Sequence, residues 1–230
     1  RVGYLPKVWL APKEVRELRL VVRYRQQRVD ERRNIKLRVS AVLRDQRVRA
    51  EGMSAWTKAW KEWVVTADAL SVQGRWIIAR QIEELAEVVK KIAEVEAHLS
   101  AMTADDRLVE ALQKEKGIGP VTAWTLRAEI GQFGRFRTGK QLSRYCGLSP
   151  RNASSGARQA DAGLIRAGNP QLRATLMESG HRLMRHEPRW MAFAGNLLRR
   201  GKPKCVVVAA VANRWVRWLF HQMQPSKFAA

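Results

Sequence analysis

The amino-acid sequence predicts an all-α fold, in which a long helical hairpin of coiled-coil type precedes a compact helical domain. Apolar residues recur at three- and four-residue spacing in two long stretches, which is the pattern of one helix face. Residues 13–49 contain no glycine or proline, and residues 117–230 show no alternating pattern long enough to indicate strands. The chain has 230 residues, 46% of them hydrophobic, so it can bury a core.

The chain is strongly basic, with a formal net charge of +22. Residues 1–60 carry 16 basic and 6 acidic side chains, residues 61–116 carry 8 and 11, and residues 117–230 carry 19 and 4. Such an excess repels itself unless a polyanion neutralises it, and nucleic acid is the usual polyanion. The sequence therefore predicts a nucleic-acid partner.

A membrane is not an expected partner. The longest apolar run, residues 205–220, is interrupted by polar residues, among them Asn213 and Arg217. It is too short and too polar to span a bilayer, so we expect a buried helix there.

The first long helix is predicted from Lys13 to about Arg49, after an extended linker of residues 1–12 that ends in a proline, a residue favoured at helix starts. Its many arginines either form a solvated face or follow a nucleic-acid backbone. The apolar positions that give the helical spacing are Val15, Leu18, Val22, Val29, Ile35, Leu37 and Val42.

A tryptophan-rich connector is predicted to pack as a corner between helices, because Trp56, Trp60 and Trp63 fall at helical spacing. A second long helix follows over residues 75–101 and carries a seam of about three heptads. The seam residues are Ile78, Ile82, Leu85, Val89, Ile92 and Leu99. The coiled-coil region, residues 13–104, either folds back as an antiparallel hairpin or pairs with another copy of the chain.

Residues 105–230 are predicted to form the compact basic domain. Thr103 or Asp105 is expected to cap its first helix, and Thr138 a short helix that ends at Gly147. Arg135, between two phenylalanines that pack, is expected to remain solvated.

The cysteines and histidines of the chain do not indicate a metal site. Cys146 and Cys205 are far apart in the sequence and are predicted to be reduced, buried thiols. His181 and His186 are interpreted as solvated or locally satisfied side chains rather than catalytic ones.

The segment 108–131 has the pattern of a helix-hairpin-helix. One helix is predicted to end at Lys116, Gly117-Ile118-Gly119 makes a tight turn with its isoleucine in the core, and a second helix starts with a proline. The glycines let backbone N–H groups approach a phosphate, so Lys116, Gly117 and Gly119 are predicted DNA contacts. The alternative is an ordinary corner in which glycine only ends a helix.

The stretch RNASSGARQADAGLIRAGNPQLR is too polar for a core and too rich in glycine for one helix, so residues 150–169 are predicted to form an exposed loop. Its adjacent serines precede a glycine, which lets a hydroxyl approach a phosphodiester as a nucleophile. Asp161 is the only acid nearby in sequence and no histidine is close, so serines and glycine that merely form turns are the alternative. The predicted DNA contacts of this stretch are Arg151, Arg158, Arg166, Asn169 and Arg173, and Asn169 is also expected to cap a helix that starts at Pro170.

The motifs GIGP, GLSPR, SSG and AGNPQLR, in this order, resemble the carboxy-terminal domain of a group of bacterial insertion-sequence transposases. These transposases carry an amino-terminal DEDD (RuvC-like) domain, and some of them are guided by a bridge RNA. The resemblance is strong over residues 105–195, and the long helices upstream resemble the coiled coil of that family. It implies a cytoplasmic, nucleoid-associated DNA transposase or recombinase, with a structured guide RNA and a homo-oligomer formed through the coiled coil.

The resemblance assigns the nucleophile to Ser155, because the Ser-Gly pair of the family matches Ser155-Gly156. The serine would form a covalent link to DNA before strands are exchanged. In the family, four acids of the amino-terminal domain hold Mg²⁺, and Asp30, Glu31 and Asp45 of this chain do not fit that pattern. We therefore expect that this sequence starts just after such a domain, binds no Mg²⁺ by itself and does not cut DNA alone.

Two rival interpretations remain open at this point. The chain could be a non-catalytic module that holds DNA or structured RNA and dimerises through its coiled coil. It could also be a general basic architectural protein, whose binding would show no preference for particular ends or junctions and a steep dependence on salt. Only the transposase interpretation requires Ser155 to be reactive.

Overall fold

Helices make up most of the described chain, which confirms the predicted all-α class. The computed structural model describes residues 8–152 and 161–227. The helices are α1 (Lys13–Asp45), α2 (Lys58–Thr66), α3 (Val72–Met102), α4 (Arg107–Gln113), α5 (Pro120–Ile130), α6 (Gly139–Tyr145), α7 (Pro170–His186), α8 (Pro188–Arg199) and α9 (Lys204–Gln222), with 3₁₀ turns at Phe133–Arg135 and Pro225–Lys227. Two short strands, β1 (Pro150–Asn152) and β2 (Asp161–Leu164), form a small antiparallel ribbon that the sequence did not predict.

The chain divides into two compact units. Residues 20–101 form one, which we call the hairpin unit, and residues 1–19 together with 102–230 form the other, which we call the basic unit. No helix in the described ranges has both the length and the apolar character needed to cross a membrane.

The hairpin unit folds back on itself through antiparallel packing of α1 and α3. Arg25 of α1 pairs with Glu96 of α3 at 2.6 Å, and Arg38, further along α1, pairs with Glu84, earlier in α3, at 3.6 Å. Between them lies a buried cluster of Ile35, Leu85, Val88 and Ile92. The antiparallel hairpin is therefore the alternative that the contacts support, and its seam is filled from within one chain.

Three details of the hairpin unit differ from the prediction. The predicted seam residue Val89 is 47% exposed, and its neighbour Val88 is buried instead. Both positions satisfy a three-four spacing from Leu85, so the sequence alone does not choose between them. Leu37 is 53% exposed because it lies two residues from the buried Ile35, which places it on the opposite side of the helix. The helix α1 ends at Asp45, four residues earlier than predicted.

The tryptophan-rich connector forms the predicted packing corner. It contains α2, whose Trp60 is buried with 4% of its surface exposed. The ring of Trp60 lies 4.7 Å from that of Trp56 and 6.5 Å from that of Trp63, measured between centroids. These rings close the end of the hairpin unit around the buried Val39 and Ile78.

The core of the basic unit is built around α9, as the apolar run at residues 205–220 predicts. This helix packs on α6, α7 and α8 and buries Trp215 completely. Glycines allow the close approaches: a Cβ on Gly180 of α7 would lie 3.2 Å from the carbonyl oxygen of Val208, and one on Gly139 of α6 would lie 2.9 Å from that of Arg217.

Two predictions for the basic unit are corrected by the structure. Asp106, rather than Thr103 or Asp105, caps α4, and the hydroxyl of Thr103 instead accepts a hydrogen bond from the indole N–H of Trp124 at 2.9 Å. Cys146 is buried and both cysteines are free, but Cys205 is exposed because it lies in the first turn of α9, before the buried face begins.

Candidate nucleic-acid interface and serine segment

The ribbon of β1 and β2 flanks the predicted serine segment. Pro150 is paired with Leu164, and Asn152 with Asp161. The register shifts by one residue between these two pairs, so the ribbon contains an irregularity of the β-bulge type. Bulges bend and twist a strand pair and are frequent beside functional sites.

Ser155 and Arg158 belong to residues 153–160, which join the two strands in the sequence and lie outside the described residues. The predicted loop of residues 150–169 therefore contains two strands, β1 before the serine segment and β2 after it. The strands are three and four residues long, too short to show the alternation by which a sequence reveals a strand.

Two of the predicted DNA contacts are exposed arginines on or beside the ribbon. Arg151 lies in β1, and Arg166 follows β2 by two residues. Neither has an acidic partner among the residues that the structure describes. Both guanidinium groups are therefore available to a phosphate.

The base of the ribbon is closed by two glycines in close contact. Gly147 has φ of 70° and Gly168 has φ of 95°, a region that other residues rarely adopt. A Cβ on Gly168 would lie 2.8 Å from the carbonyl oxygen of Tyr145, and one on Gly147 would lie 2.7 Å from that of Ala167. No side chain fits at either position without moving backbone atoms.

Arg173 and Asn169 lie at the same base and are engaged there. Arg173 donates from Nη2 to the carbonyl oxygen of Ala167 at 2.8 Å. Asn169 begins α7 as predicted, and its side-chain oxygen accepts a hydrogen bond from the backbone N–H of Gln171 at 2.9 Å. Both residues, predicted as DNA contacts, also hold the turn that leads from β2 into α7.

The predicted helix-hairpin-helix segment consists of α4 and α5 joined by residues 114–119. The helix α4 ends at Gln113, three residues before Lys116, and Lys116 is an exposed residue of the turn. Ile118 is buried with 6% of its surface exposed, as predicted, and α5 begins at Pro120. Contact between this turn and a phosphate stays a prediction.

The two glycines of this turn differ in their surroundings. Gly117 has φ of 87°, and a Cβ on it would lie 3.0 Å from the side chain of Leu183. Gly119 has φ of −90°, and a Cβ on it would meet no atom within 4 Å. Gly117 is therefore required by the fold, whereas the space beside Gly119 is open to a ligand.

An ion pair ties the two helices together. Asp106 accepts hydrogen bonds from the N–H groups of Leu108 and Val109, and its other oxygen lies 2.6 Å from Nε of Arg127 in α5. Arg127 also donates to the carbonyl oxygen of Gly131 at 3.2 Å. These contacts fix the first turn of α4 to the end of α5.

Cys146, immediately before the ribbon, is not a nucleophile. It is fully buried, and burial raises the pKa of its thiol to about 12, although the charge of Arg135 acts in the opposite direction. Because the thiolate is the reactive form of cysteine, this side chain remains an inert thiol at neutral pH.

Three of the four acids that follow Gly117 have partners within the basic unit. Glu129 lies 3.7 Å from Arg19, Glu178 lies 3.4 Å from Arg182, and Glu187 caps α8. No group of three or more His, Cys, Asp or Glu side chains that could hold a metal occurs in the described part of the chain.

Two basic features were missed or misread in the sequence. The turn between α8 and α9 presents four exposed cations, Arg199, Arg200, Lys202 and Lys204, with no acidic partner in the described ranges. The run RRGKPK was a usable signal for this turn. Arg135, expected to be solvated, is half-buried, with its guanidinium 4.2 Å from the ring centroids of Trp9 and Phe136.

The charge and the ribbon of the basic unit together define a class of protein. The basic unit is a helical fold with an excess of unpaired cations, and its ribbon places exposed arginines on both sides of a serine-containing segment. Such an arrangement is typical of proteins that act on nucleic-acid backbones.

Comparison with known proteins narrows this class. Residues 109–194 match the family model described as "Transposase IS116/IS110/IS902 family". The matched segment runs from α4 through the ribbon into α8, so it contains the turn at residues 114–119 and the serine segment. The chain therefore carries a domain similar to that of this transposase family.

Several curated relatives have names that describe them as transposases. The "Probable family 20 transposase" of Pseudomonas aeruginosa is 31% identical over 60% of this chain and 42% of its own length. The "Putative transposase y4qE" of Sinorhizobium fredii is 31% identical over 77% of this chain and 43% of its own. The "Transposase for insertion sequence element IS1111A" of Coxiella burnetii is 29% identical over 55% and 36%. This chain spans less than half the length of these relatives.

Proposed function

We propose that this chain is the carboxy-terminal part of an insertion-sequence transposase, in which the basic unit grips DNA and Ser155 is the nucleophile. The observation that carries the proposal is the position of the serine segment. It lies between two paired strands, inside the segment that matches the transposase family, with exposed Arg151 and Arg166 on its two sides.

The proposed chemistry is a transesterification that conserves the number of phosphodiester bonds. The hydroxyl oxygen of Ser155 attacks a DNA phosphorus atom, the bond from phosphorus to one strand oxygen breaks, and that oxygen leaves as a strand-end hydroxyl after taking up a proton. A hydroxyl of another strand then attacks the serine-linked phosphorus and releases Ser155. Arg151 and Arg166 would stabilise the added negative charge at phosphorus in both steps.

The serine proton must pass to a base. We assign that base to the amino-terminal DEDD domain that the family resemblance implies, on the same or another subunit. The acids of that domain would also hold the Mg²⁺ that the resemblance implies.

Binding would rest on phosphate contacts from two turns of the basic unit. The open space beside Gly119 admits a phosphate to the backbone N–H groups at the start of α5, and the exposed cations of the α8–α9 turn extend the surface. Such contacts position DNA without reading its sequence. A structured guide RNA would use the same phosphate chemistry.

We also propose that the chain forms homo-oligomers, but through a surface other than the seam between α1 and α3. The seam between α1 and α3 is filled within the chain, so pairing of two copies would use exposed apolar side chains of the hairpin unit, such as Leu20 (71% exposed) and Tyr24 (44% exposed). Sedimentation of Leu20→Asp against the unaltered chain tests this: a protein that is dimeric with Leu20 and monomeric with Asp supports it.

Covalent trapping tests the catalytic proposal. The chain is combined with a DEDD domain, Mg²⁺ and a junction DNA that carries a nick beside the reactive phosphate, so that the cleaved strand diffuses away and the serine link persists. We expect a protein–DNA adduct that survives denaturation and maps to the peptide containing Ser155.

The matched variants are Ser155→Ala and Ser154→Ala. The first should abolish the adduct and strand cleavage while DNA affinity changes by less than about twofold, because a hydroxyl adds little to a surface dominated by cations. The second should retain the adduct. Cleavage that persists in Ser155→Ala without any adduct would mean that water is the nucleophile, which leaves this chain with the non-catalytic binding role.

A further inference from the structure

A concave site that plays no part in the proposed chemistry lies in the basic unit. It is a cavity of about 320 Å³, lined by the backbone segment of residues 8–11, by Arg16 and Arg19 of α1, and by Arg135 and Tyr145. This volume is at the lower end of the range of pockets that hold small organic ligands.

One wall of the cavity is aromatic and rigid. The ring of Trp9 packs on Gly131, where a Cβ would lie 2.5 Å from the ring. The guanidinium of Arg135 lies 4.2 Å from the centroid of Trp9 and 4.5 Å from that of Tyr145, and its Nε donates to the carbonyl oxygen of Ile130 at 3.0 Å. The aromatic rings and the planar guanidinium thus hold one another in place.

The charge of the cavity is positive and only partly compensated. Arg19 donates to the carbonyl oxygen of Ala128 at 2.9 Å and lies 3.7 Å from Glu129, which offsets one of the three guanidinium charges. Arg16 is exposed, without an acidic partner in the described chain, and Nη2 of Arg135 is buried without a hydrogen-bond partner there. The lining therefore favours an anionic ligand.

The apolar part of the lining favours a ligand that carries an apolar group as well as a phosphate. Val8 is 92% exposed and Leu10 is 79% exposed at the mouth, which leaves apolar surface beside the cations. A ligand that satisfies both parts has a flat apolar ring and a phosphate. Paired bases in a duplex are stacked on their neighbours and cannot offer that ring, whereas an unpaired base can.

We propose that this cavity binds a single unpaired nucleotide of a nucleic-acid strand, with its base against the wall of Trp9 and Tyr145 and its phosphate on Arg16. The proposal takes its partner class from the proposed function but does not involve Ser155. Stacking on aromatic side chains is tolerant of base identity, so the site would recognise the unpaired state rather than the sequence.

Photo-cross-linking of the full chain tests the proposal. A single-stranded oligonucleotide with one 5-iodouracil is irradiated with the protein, and the cross-linked peptide is identified by mass spectrometry. We expect the cross-link on Trp9 or Tyr145, and we expect the same label placed inside a fully paired duplex to give little of it.

Arg16→Gln is the informative variant, because Arg16 is exposed and its loss should leave the fold intact. It should lower affinity for the single strand about tenfold and for the duplex by less than about twofold. Arg33→Gln, which removes an exposed arginine of the hairpin unit, is the matched control. It should change the affinities for the single strand and for the duplex by the same factor. A circular-dichroism melt of each variant checks the fold.

Several outcomes would overturn the proposal. Cross-links that map away from residues 8–19 and 135–145, or equal losses for both substrates in Arg16→Gln, would reduce the cavity to a general phosphate contact. A cross-link removed as effectively by thymidine monophosphate as by unlabelled strand would indicate a site for free nucleotides. Ser155→Ala should keep the cross-link, so failure of the serine chemistry and failure of this site are distinguishable.

Discussion

The hairpin unit and the basic unit use their charged residues in different ways. The hairpin unit has 16 basic and 11 acidic residues, and the basic unit has 27 and 10. In the hairpin unit, cross-helix pairs such as Arg25 with Glu96 and Arg38 with Glu84 consume part of the positive charge within the fold. In the basic unit the acids are too few to pair with most of the cations.

Net charge alone therefore does not locate a candidate nucleic-acid surface. The helix α1 is rich in arginine, yet several of its guanidinium groups pair with carboxylates of the same chain. We expect binding to depend on the cations that are exposed and lack an acidic partner in the described ranges, as in the α8–α9 turn.

The largest expected effect comes from replacing the four cations of the α8–α9 turn, Arg199, Arg200, Lys202 and Lys204, by glutamine. If each contacts a phosphate, the slope of the logarithm of the binding constant against the logarithm of salt concentration should fall by up to about 3.6. At about 0.1 M salt this corresponds to roughly a thousandfold loss of duplex affinity or more. Fluorescence anisotropy over a salt series measures both.

A matched set of four arginines in the hairpin unit provides the control: Arg25, Arg38, Arg75 and Arg80, each of which has a carboxylate partner. Their joint replacement by glutamine should change the slope by less than about one. Equal slope changes in the two sets would remove the distinction between paired and available cations.

Core truncations test whether the two units are separate in stability as well as in charge. Ile78→Ala in the hairpin unit and Leu176→Ala in the basic unit each remove a fully buried side chain and should each cost about 2–5 kcal/mol of unfolding free energy. Hydrogen exchange should show faster exchange mainly in the unit that carries the substitution. Uniform acceleration across both would show that they unfold as one.

The two glycines of the turn at residues 114–119 should respond differently to alanine. Gly117→Ala should cost about 1–2 kcal/mol, because its φ is positive and Leu183 occupies the space of the new methyl group. Gly119→Ala should leave stability within about 0.5 kcal/mol and weaken DNA binding, because only the approach of a phosphate is obstructed. Thermal melts and anisotropy separate the two effects, and unaltered affinity in Gly119→Ala would contradict the phosphate contact.

The last effect is absent at neutral pH and appears only in alkaline solution, as a pH dependence of the basic unit. The pKa of Cys146 is raised to about 12 by burial, so the folded state keeps the thiol neutral where the unfolded chain loses its proton. Its contribution is intact below about pH 9 and is lost progressively as pH rises from there toward 12. Denaturant titrations of the chain and of Cys146→Ala should diverge in slope over this range; parallel curves would contradict the shift.

Features that depend on neighbouring residues were predictable from the sequence. Asn169 and Pro170 begin α7, Thr138 caps α6, and Ile118 is buried, because caps and turn residues act over two to four positions. The two long helices were likewise visible from their apolar spacing, and α1 also from its lack of glycine and proline.

Features that depend on distant residues were not predictable. Asp105 and Asp106 are equally able to cap a helix, and the choice of Asp106 coincides with its ion pair to Arg127, which is 21 positions away. Arg135 is drawn among aromatic rings that include Trp9, more than a hundred residues earlier. The predicted contact residues Lys116, Arg151 and Arg166 are exposed, and Ser155 lies outside the described residues, in the sequence between β1 and β2.

The contact of Gly147 with Gly168 has a consequence for how mutational surveys of this protein should be interpreted. Because neither position has room for a methyl group, almost any replacement there should lower activity as severely as replacing a nucleophile. A scan scored by transposition alone would therefore rank these two glycines beside Ser155, although they would never touch DNA. A parallel scan scored by protein abundance separates the two kinds of residue, since only the glycine variants should disappear from the soluble fraction.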